Sequence, residues 1–348
     1  MAWTKPQYGK GEIDRAGAML ISVSLTEPED WQRGLAIINN WRSSHSYPLQ
    51  ALKMTLRSRA RKVEPGALVA QRLKRLSSIE IKLQRNSNMA LSQMQDLGGA
   101  RAVLRSGAEV DRLVEVYKSA DAKNPSGRAE FVKKYDYIRN PKADGYRGVH
   151  LIYKYRSSAA HKQAWNGLRI EIQLRSRRQH AWATAVETVD TLLSQSLKTG
   201  GGTDTWRRFF ALMGTAISLR EGTPSVPDTP SGGELVAELR SLNQQLEVER
   251  TLTALGVGVV GTKGPKLDQA FFLLELEPQA KSLRVTSYPQ SESAKASQAY
   301  LAAEERLHGN GNAVLVSVED VAALRRAYPN YFLDTKIFVD TLRTVLAQ

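Results

Sequence analysis

Residues Arg169 to Arg175 read Arg-Ile-Glu-Ile-Gln-Leu-Arg, a strict alternation of polar and apolar side chains. Successive side chains of a β-strand point to opposite faces, so this period predicts a strand with one apolar face and one polar face. The polar face carries Glu171 between two arginines. Two interpretations fit this pattern: a ladder of salt bridges, or a carboxylate kept ionised to bind Mg²⁺ or to accept a hydroxyl proton.

The rest of the first 220 residues predicts helices around this strand. Further strands are expected at 100–104, 135–138 and 148–155. Helices are expected through the first 85 residues, including one across 67–85, and again from residue 177 onward. Helices flanking a central sheet indicate an α/β (α+β) fold with a mixed sheet.

A Pro/Gly-rich segment divides the chain. Residues 221–233 read EGTPSVPDTPSGG, with three prolines, three glycines and no apolar periodicity, which is typical of a linker. We therefore expect a domain at 1–220 and a small α/β domain at 234–348, referred to below as the C-terminal region. Within it, Gly256, Gly258 and Gly261 match a dinucleotide-binding fingerprint as a string, but no βαβ unit surrounds them, so we interpret them as a glycine-rich strand.

The charge of the chain is distributed unevenly. The whole sequence has 49 Lys+Arg and 35 Asp+Glu, a net charge of +14. Residues 221–348 contain 12 basic and 16 acidic residues, which leaves 37 basic and 19 acidic residues, a net +18, for residues 1–220. Such a field attracts polyanions such as nucleotides or nucleic acid, although a solubilising surface would have the same charge.

The composition excludes several classes of protein. The absence of cysteine excludes disulfide frameworks, thiolate zinc sites and cysteine nucleophiles, and it fits a reducing compartment. No apolar run approaches the roughly 20 residues that span a bilayer, and the N-terminal sequence lacks the apolar core of a signal peptide. We expect a cytoplasmic protein without membrane contact, and a monomer in preference to an oligomer.

A basic stretch at residues 72–85 is the first candidate for phosphate binding. On a helix, Arg75, Ser78 and Lys82 recur at a spacing of three to four residues and would form one ridge of donors. Such a ridge suits a chain of phosphates, but a solvated basic face is an equally simple interpretation.

Two further stretches contain candidate site residues. Asp96 is followed closely by two glycines, so that a metal and phosphates could approach the backbone, although Asp96 could equally cap a turn. The segment 135–151 has the spacing of a shaped loop between strands, and it presents Lys142, Arg147 and His150. Tyr146 in this loop is either a ring on which a base stacks or a loop anchor.

Together and in this order, the four stretches resemble the RelA/SpoT synthetase domain over residues 40–217. The resemblance implies that ATP donates its β,γ-pyrophosphate to a ribose 3′-hydroxyl, with Mg²⁺ as cofactor. It implies that Asp96 binds the metal and that Glu171 is a second metal ligand or a general base. By the same resemblance the ATP contacts are Arg72, Lys74, Ser78, Lys82 and Arg101, and the acceptor contacts are Lys142, Tyr146, Arg147, His150 and Gln173.

Two acceptors remain open at this point. Alarmone synthetases of this family use GTP or GDP, whereas toxic small relatives use the 3′-terminal adenosine of tRNA. The net +18 of residues 1–220 favours the larger polyanion. The expected tRNA contacts lie on one predicted basic helix: Lys53, Arg57, Arg61 and Lys62. Alternatively, these residues only form an exposed face of that helix.

The segment Tyr328-Pro-Asn-Tyr331 resembles the Tyr-x-x-Tyr region of fused toxin–antitoxin synthetases of the CapRel type. That resemblance implies a zinc-finger-like C-terminal fold without zinc, inhibition by Tyr328 and Tyr331 over the adenine pocket, and release by a phage capsid protein. Alternatively, both tyrosines pack a turn before the last helix. A catalytically silent RNA- or protein-binding module is the remaining hypothesis, and the paired carboxylates argue against it.

Overall fold

The structure is a computed structural model that describes residues 3–22, 27–124, 127, 129–193, 203–253, 258–263, 270–277, 279–280, 282–307, 311–318, 321–332 and 335–348. Within these ranges the helices are α1 Lys10–Leu20, α2 Pro28–Ser44, α3 Ser46–Val63, α4 Leu76–Arg85, α5 Gly107–Lys123, α6 Arg177–Leu193, α7 Thr203–Glu221, α8 Gly232–Leu246, α9 Val248–Thr253, α10 Ser293–Arg306, α11 Val321–Ala327 and α12 Lys336–Leu346. The strands are β1 Leu68–Leu73, β2 Gly98–Leu104, β3 Ala129–Asp136, β4 Val149–Tyr155, β5 Arg169–Ser176, β6 Gly258–Lys263, β7 Ala270–Glu277, β8 Ser282–Pro289 and β9 Asn312–Val318.

The strands of the described residues form one mixed sheet in the order β3-β4-β5-β2-β1-β9-β7-β8-β6. The pairs β2–β5 and β6–β8 are parallel, and the other pairs are antiparallel. Helices cover both faces, so the predicted α/β class with a mixed central sheet is confirmed. None of the described helices is long and apolar enough to cross a membrane.

The helix expected across 67–85 is wrong in its first half. The first part of this stretch is strand β1, which pairs along its whole length with β2 and also pairs with β9. Helical spacing of leucines gave no hint of these long-range partners, and tertiary pairing overrides a weak local preference. The basic stretch 72–85 is therefore divided: Arg72 lies on β1, whereas Ser78 and Lys82 lie on α4.

The alternation along β5 separates the two faces of the sheet. Ile170, Ile172 and Leu174 lie in the main hydrophobic core, together with residues of α3 and α5. Glu171 consequently faces the opposite side, which we call the site face. Residues in register with the polar positions of β5 share that face, since paired residues of adjacent strands point the same way: Arg72, Arg101 and His150.

The C-terminal region continues the sheet of the first 220 residues. Strand β9 pairs with β1 through Gln71↔Ser317 and Arg72↔Val316. A second hydrophobic core combines α6 and α7 with the last helix, where Phe338 contacts the rings of Phe209 and Phe210. The expected linker corresponds to the connection between α7 and α8. Of the dinucleotide-like glycines, Gly258 and Gly261 lie on strand β6, and Gly256 lies outside the described residues.

Candidate active site

Two carboxylates meet on adjacent parallel strands. Asp96 lies two residues before β2, and Glu171 is in register with Gly99 of that strand. They are close enough for the charge of Asp96 to raise the pKa of Glu171. Parallel pairing of β2 with β5 therefore brings together two residues that are 75 positions apart in the chain.

Asp96 is held between two lysines. The Nζ atoms of Lys74 and Lys82 each lie 2.9 Å from a different carboxylate oxygen of Asp96. Burial by itself would raise the pKa of Asp96, but the two ammonium groups outweigh it and lower the pKa below its ordinary value. Lys74 comes from the connection after β1, and Lys82 lies on α4, one turn after Ser78. Two of the expected ATP contacts, Lys74 and Lys82, thus hold one metal-ligand candidate.

Glu171 accepts hydrogen bonds on both carboxylate oxygens. His150 Nδ1 is 2.8 Å from Oε1, and the amide nitrogen of Gln173 donates to Oε2 at 2.6 Å. Burial raises the pKa of Glu171, but the hydrogen bond and charge of His150 together with the hydrogen bond of Gln173 give a net lowering. Glu171 is therefore oriented and kept ionised at neutral pH.

Residues 137–148 connect β3 to β4 and are called the acceptor loop below. A chain of donors leads from this loop to Glu171. Arg175 donates to the hydroxyl oxygen of Tyr146 at 2.7 Å, and that hydroxyl is 2.6 Å from His150 Nε2. The ring of His150 therefore joins the Tyr146 hydroxyl, at Nε2, to the carboxylate of Glu171, at Nδ1. Tyr146 and His150, two expected acceptor contacts, are thus part of one hydrogen-bond network with Glu171.

The donor set around Asp96 and Glu171 fits a magnesium ion. Mg²⁺ is commonly held by one or two carboxylates, with water and substrate phosphates completing its coordination. Both carboxylates are ionised, and Lys74 and Lys82 would meet the phosphates. Among the described residues no group of three or more His, Cys, Asp or Glu side chains assembles a metal cage, so a nucleotide would supply the remaining ligands.

Arg147 does not face the acceptor site, contrary to its expected role. Its side chain is buried, 2% exposed, and its guanidinium donates to the carbonyl of Ile138, to Thr223 and to the carbonyl of Pro224. Burial lowers the pKa of Arg147 to about 10. The side chain ties the acceptor loop to the connection after α7. Lys142, in contrast, is exposed, with its Nζ 5.4 Å from the centre of the Tyr146 ring.

Arg72 and Arg101 lie on the site face beside a carboxylate that the sequence did not single out, Glu187 of α6. Burial would lower the pKa of Arg72, but Glu187 raises it above its ordinary value. Arg101 is also close to Arg72 and Arg175, and burial with this repulsion lowers its pKa to about 10. A pair of half-buried guanidinium groups is suited to the rings and phosphates of a nucleotide.

The C-terminal region packs onto these arginines. Tyr328 and Tyr331 are buried, 2% and 1% exposed, and both are near enough to act on the pKa of Arg72. Arg101 lies 6.0 Å from the centre of the Tyr328 ring, and the hydroxyl of Tyr328 donates to the carbonyl of Gln71 at 2.8 Å. The two tyrosines therefore occupy the surroundings of Arg72 and Arg101.

Further contacts join the C-terminal region to the start of α4. Arg75 donates to Asn312 at 2.7 Å, and the backbone N–H of Leu76 donates to Glu304 at 3.0 Å. Glu304 also pairs at 2.7 Å with Arg42, which is fully buried. The carboxylate of Glu304 thus lies at the positive end of the helix that carries Ser78 and Lys82.

The four expected tRNA contacts do not join the site. They lie on α3, which packs against the apolar face of β5, so the sheet separates this helix from Glu171. Lys53 is only 5% exposed and donates to Ser317 at 3.0 Å. Sequence alone did not show which face of the sheet the helix covers. A role in binding tRNA outside the site stays a prediction for these four residues: Lys53, Arg57, Arg61 and Lys62.

Two tyrosines near the acceptor loop were also missed as candidates. Tyr135 is on β3 in register with His150, and Tyr137 lies beside both His150 and Tyr146. Their spacing of two residues on a strand was the available signal, since it places both rings on one face.

Comparisons with known proteins support one family for part of the chain. Residues 71–189, about a third of the sequence, match the family described as "Region found in RelA / SpoT proteins", and no curated protein matches the chain.

The solved small alarmone synthetase 1 from Bacillus subtilis bound to its product pppGpp has 21% identity and a TM-score of 0.43, and the match covers 56% of this chain and 94% of that one. A GTP pyrophosphokinase family protein from Streptococcus pneumoniae has 19% identity, coverages of 65% and 98%, and a TM-score of 0.41. The small alarmone synthetase 2 from Bacillus subtilis has 20% identity, coverages of 50% and 89%, and a TM-score of 0.39. The match to the region found in RelA/SpoT proteins thus extends over residues 71–189 of this chain.

Proposed function

We propose that this protein is an ATP-dependent pyrophosphokinase that transfers the β,γ-pyrophosphate of ATP to the 3′-hydroxyl of tRNA and thereby inhibits translation. The observation that carries the proposal is the pair of ionised carboxylates, Asp96 just before β2 and Glu171 on the adjacent strand β5, among buried and half-buried cations. A module that only binds RNA or protein has no use for this pair. The RelA/SpoT region supports the same reaction class.

The residues divide the chemical work between proton transfer and charge neutralisation. The acceptor 3′-oxygen attacks the β-phosphorus, the bond from that phosphorus to the α,β-bridging oxygen breaks, and AMP leaves. Glu171, oriented by His150 and Gln173, takes the hydroxyl proton. Asp96 with Glu171 would hold Mg²⁺, which supplies charge neutralisation on the phosphates when bound. Lys74 and Lys82 meet the negative charge of the transferred group, as positioning and electrostatics dominate such displacements.

The net charge supports tRNA as the acceptor. Residues 1–220 have a net charge of +18, which favours a substrate with many phosphates over a single nucleotide. The competing acceptor is GTP or GDP, which would make the protein an alarmone synthetase with a regulatory C-terminal region.

We propose further that the C-terminal region inhibits the enzyme in the arrangement described above. Tyr328 and Tyr331 occupy the surroundings of Arg72 and Arg101, two of the residues expected to contact ATP. Glu304 places a negative charge at the start of α4, where the phosphates would arrive. Donor binding and closure by the C-terminal region would therefore exclude each other.

Release by a phage capsid protein is the proposed trigger, in the cytoplasm of an infected cell. It rests on the resemblance of the Tyr328–Tyr331 segment, and the activator would bind the C-terminal region and withdraw the tyrosines. This would make the protein an anti-phage defence toxin with its inhibitor fused to it.

The acceptor is tested by incubating the purified chain with labelled ATP and Mg²⁺ plus tRNA, GTP or GDP, with and without phage capsid protein. We expect label on the 3′ end of tRNA and AMP as the second product. Transfer to GTP or GDP but never to tRNA would replace the tRNA proposal by the alarmone alternative. We call the surroundings of Arg72, Arg101 and the start of α4 the donor side. If variants that open the donor side also transfer pyrophosphate to no acceptor, the binding-module hypothesis remains.

Inhibition is tested with Tyr331→Ala and Glu304→Ala. Each variant should raise the rate of transfer to tRNA and increase toxicity on expression, because each weakens a contact of the C-terminal region with the donor side. Glu305→Ala is the matched control, since Glu305 is the exposed neighbour of Glu304 on α10 and makes none of these contacts. Equal rates and toxicity in all three variants and the wild type would contradict the proposed inhibition.

A further inference from the structure

Two tyrosines and two lysines form a platform on the site face next to the acceptor loop. The rings of Tyr135 and Tyr137 are stacked, with centroids 6.0 Å apart and planes within 9°. Lys133 Nζ lies 4.7 Å from the centre of the Tyr135 ring, and Lys142 Nζ lies 4.5 Å from that of Tyr137. Both lysines are exposed and both rings are half-exposed. We call these four residues the tyrosine platform.

The tyrosine platform extends from the rings of Tyr146 and His150 in the direction away from Glu171. The Tyr137 ring centre is 5.7 Å from that of Tyr146 and 5.3 Å from that of His150. Tyr135 follows on β3, in register with His150. A row of three tyrosine rings thus runs from the acceptor loop to the edge strand of the sheet.

We propose that the tyrosine platform binds the unpaired nucleotides that precede the reacting 3′-terminal nucleotide of an RNA. Unpaired bases are recognised by stacking on aromatic rings, with basic side chains nearby for the phosphates. Lys133 and Lys142 cover the ring faces in the free protein, and their flexible side chains can turn to a phosphate when a base replaces them. This inference rests on the proposed function, because it names how the acceptor strand would be held.

The extent of the platform favours a polynucleotide over a single nucleotide. One base needs one ring, and Tyr146 already adjoins Glu171 through His150. Tyr135 and Lys133 lie further along β3 and would be left without a function by GTP or GDP. The single-stranded 3′ end of a tRNA supplies consecutive unpaired bases and phosphates.

The platform lies apart from the inhibitory contacts. Strand β3 lies at one end of the sheet, and β4, β5 and β2 separate it from β1. The C-terminal region joins the sheet through β9, which pairs with β1. Acceptor binding should therefore be measurable with the full chain, without ATP and without release of the C-terminal region.

The experiment measures fluorescence anisotropy of a labelled RNA hairpin that ends in a single-stranded CCA-3′ overhang, with a blunt hairpin and GTP as comparison ligands. Tyr135→Leu should weaken binding of the overhang about tenfold, since the substitution removes the ring on which one base stacks. Tyr135→Phe should keep most of the affinity, because it keeps the ring and loses only the hydroxyl, which is 3.4 Å from Gln95. Binding of the blunt hairpin and of GTP should change little.

Phe131→Leu is the matched control. Phe131 is an exposed aromatic residue on the same strand, but it is in register with Tyr153 of the main core and therefore faces away from the site. Its substitution should leave binding of the overhang unchanged, and circular dichroism checks that each variant is folded.

Three results would contradict the proposed role of the tyrosine platform. The first is an equal loss of affinity for the overhang in Tyr135→Leu and Tyr135→Phe. The others are an equal loss of affinity for the overhang and for GTP in Tyr135→Leu, or an unchanged KM for tRNA in that variant. The last result would leave the proposed function intact. Conversely, ring-dependent binding of the overhang by a protein that never transfers pyrophosphate to RNA would support the platform and contradict the proposed function.

Discussion

Glu171 is positioned by donors on both of its oxygens, and its lowered pKa keeps it a base at neutral pH. Replacing it by glutamine preserves size and removes the proton acceptor. In a Tyr331→Ala background, which should open the donor side, Glu171→Gln should reduce kcat for transfer by about 10²- to 10⁴-fold.

Rapid-quench assays with labelled ATP measure this loss. Glu115→Gln is a suitable control, because Glu115 forms only an exposed ion pair with Lys118 on α5. A Glu171→Gln enzyme that retains the parent rate would exclude the proton-transfer role of this residue.

Arg147 shows how a residue type suggests the wrong function when burial is unknown. A basic residue beside Tyr146 suggested substrate binding, whereas its two terminal guanidinium nitrogens donate to carbonyl groups and to Thr223 within the fold. Buried polar groups need such partners, and this requirement explains its location without any ligand.

At the scale of elements, Gly145 fixes how the acceptor loop meets α7. Its φ is +90°, and an added Cβ would lie 2.7 Å from the carbonyl oxygen of Phe210. Gly145→Ala should therefore lower the free energy of unfolding by more than the roughly 1 kcal/mol of a positive φ alone, and should displace Tyr146.

Gly167 provides the comparison. Its φ is +85°, yet an added Cβ would meet no atom within 4 Å, so Gly167→Ala should show the backbone cost only. Urea unfolding of both variants separates backbone strain from contact with α7. Equal losses of stability would show that the close approach of Phe210 is unimportant.

Helix α5 begins with a carboxylate whose titration should be visible in acid. Glu109 accepts hydrogen bonds from Ser106 and from Arg105, and these lower its pKa to about 2 from an ordinary 4.5. Because the folded-state pKa is the lower one, the stabilisation is complete above pH 4.5 and is lost as the pH falls through about 2.

Wild type should consequently unfold at a higher temperature than Glu109→Gln at neutral pH, and the difference should shrink between pH 4.5 and pH 2. Thermal melts across this range measure it, provided that both proteins unfold reversibly. A difference that stays constant down to pH 2 would mean that ionisation of Glu109 contributes no stability.

At the scale of the whole molecule, the C-terminal region is continuous with the rest of the protein. It shares a sheet through β1 and β9 and a hydrophobic core through α12. Phe338 is fully buried against Phe209 and Phe210, so Phe338→Ala should destabilise the chain by about 3–5 kcal/mol.

Calorimetry should show one cooperative transition for the wild type, shifted as a whole to lower temperature in Phe338→Ala. Ile337→Ala is the control, since Ile337 is the 55% exposed neighbour on the same helix. Two separate transitions, of which only one responds to Phe338→Ala, would indicate that the two parts of the chain unfold independently.

Local patterns by themselves determined the strand containing Glu171, most other elements and the candidates Asp96 and Lys82, because side-chain period and residue type are properties of short segments. Lys74 became a candidate only through the family resemblance of the sequence. Tertiary structure alone decided that residues 68–73 form a strand, that α3 lies behind the sheet and that Arg147 is buried. It also decided that the C-terminal region covers Arg72 and that Tyr135 and Tyr137 face the site. Each of these depends on which strands pair and which face a helix covers, and such contacts join residues up to hundreds of positions apart.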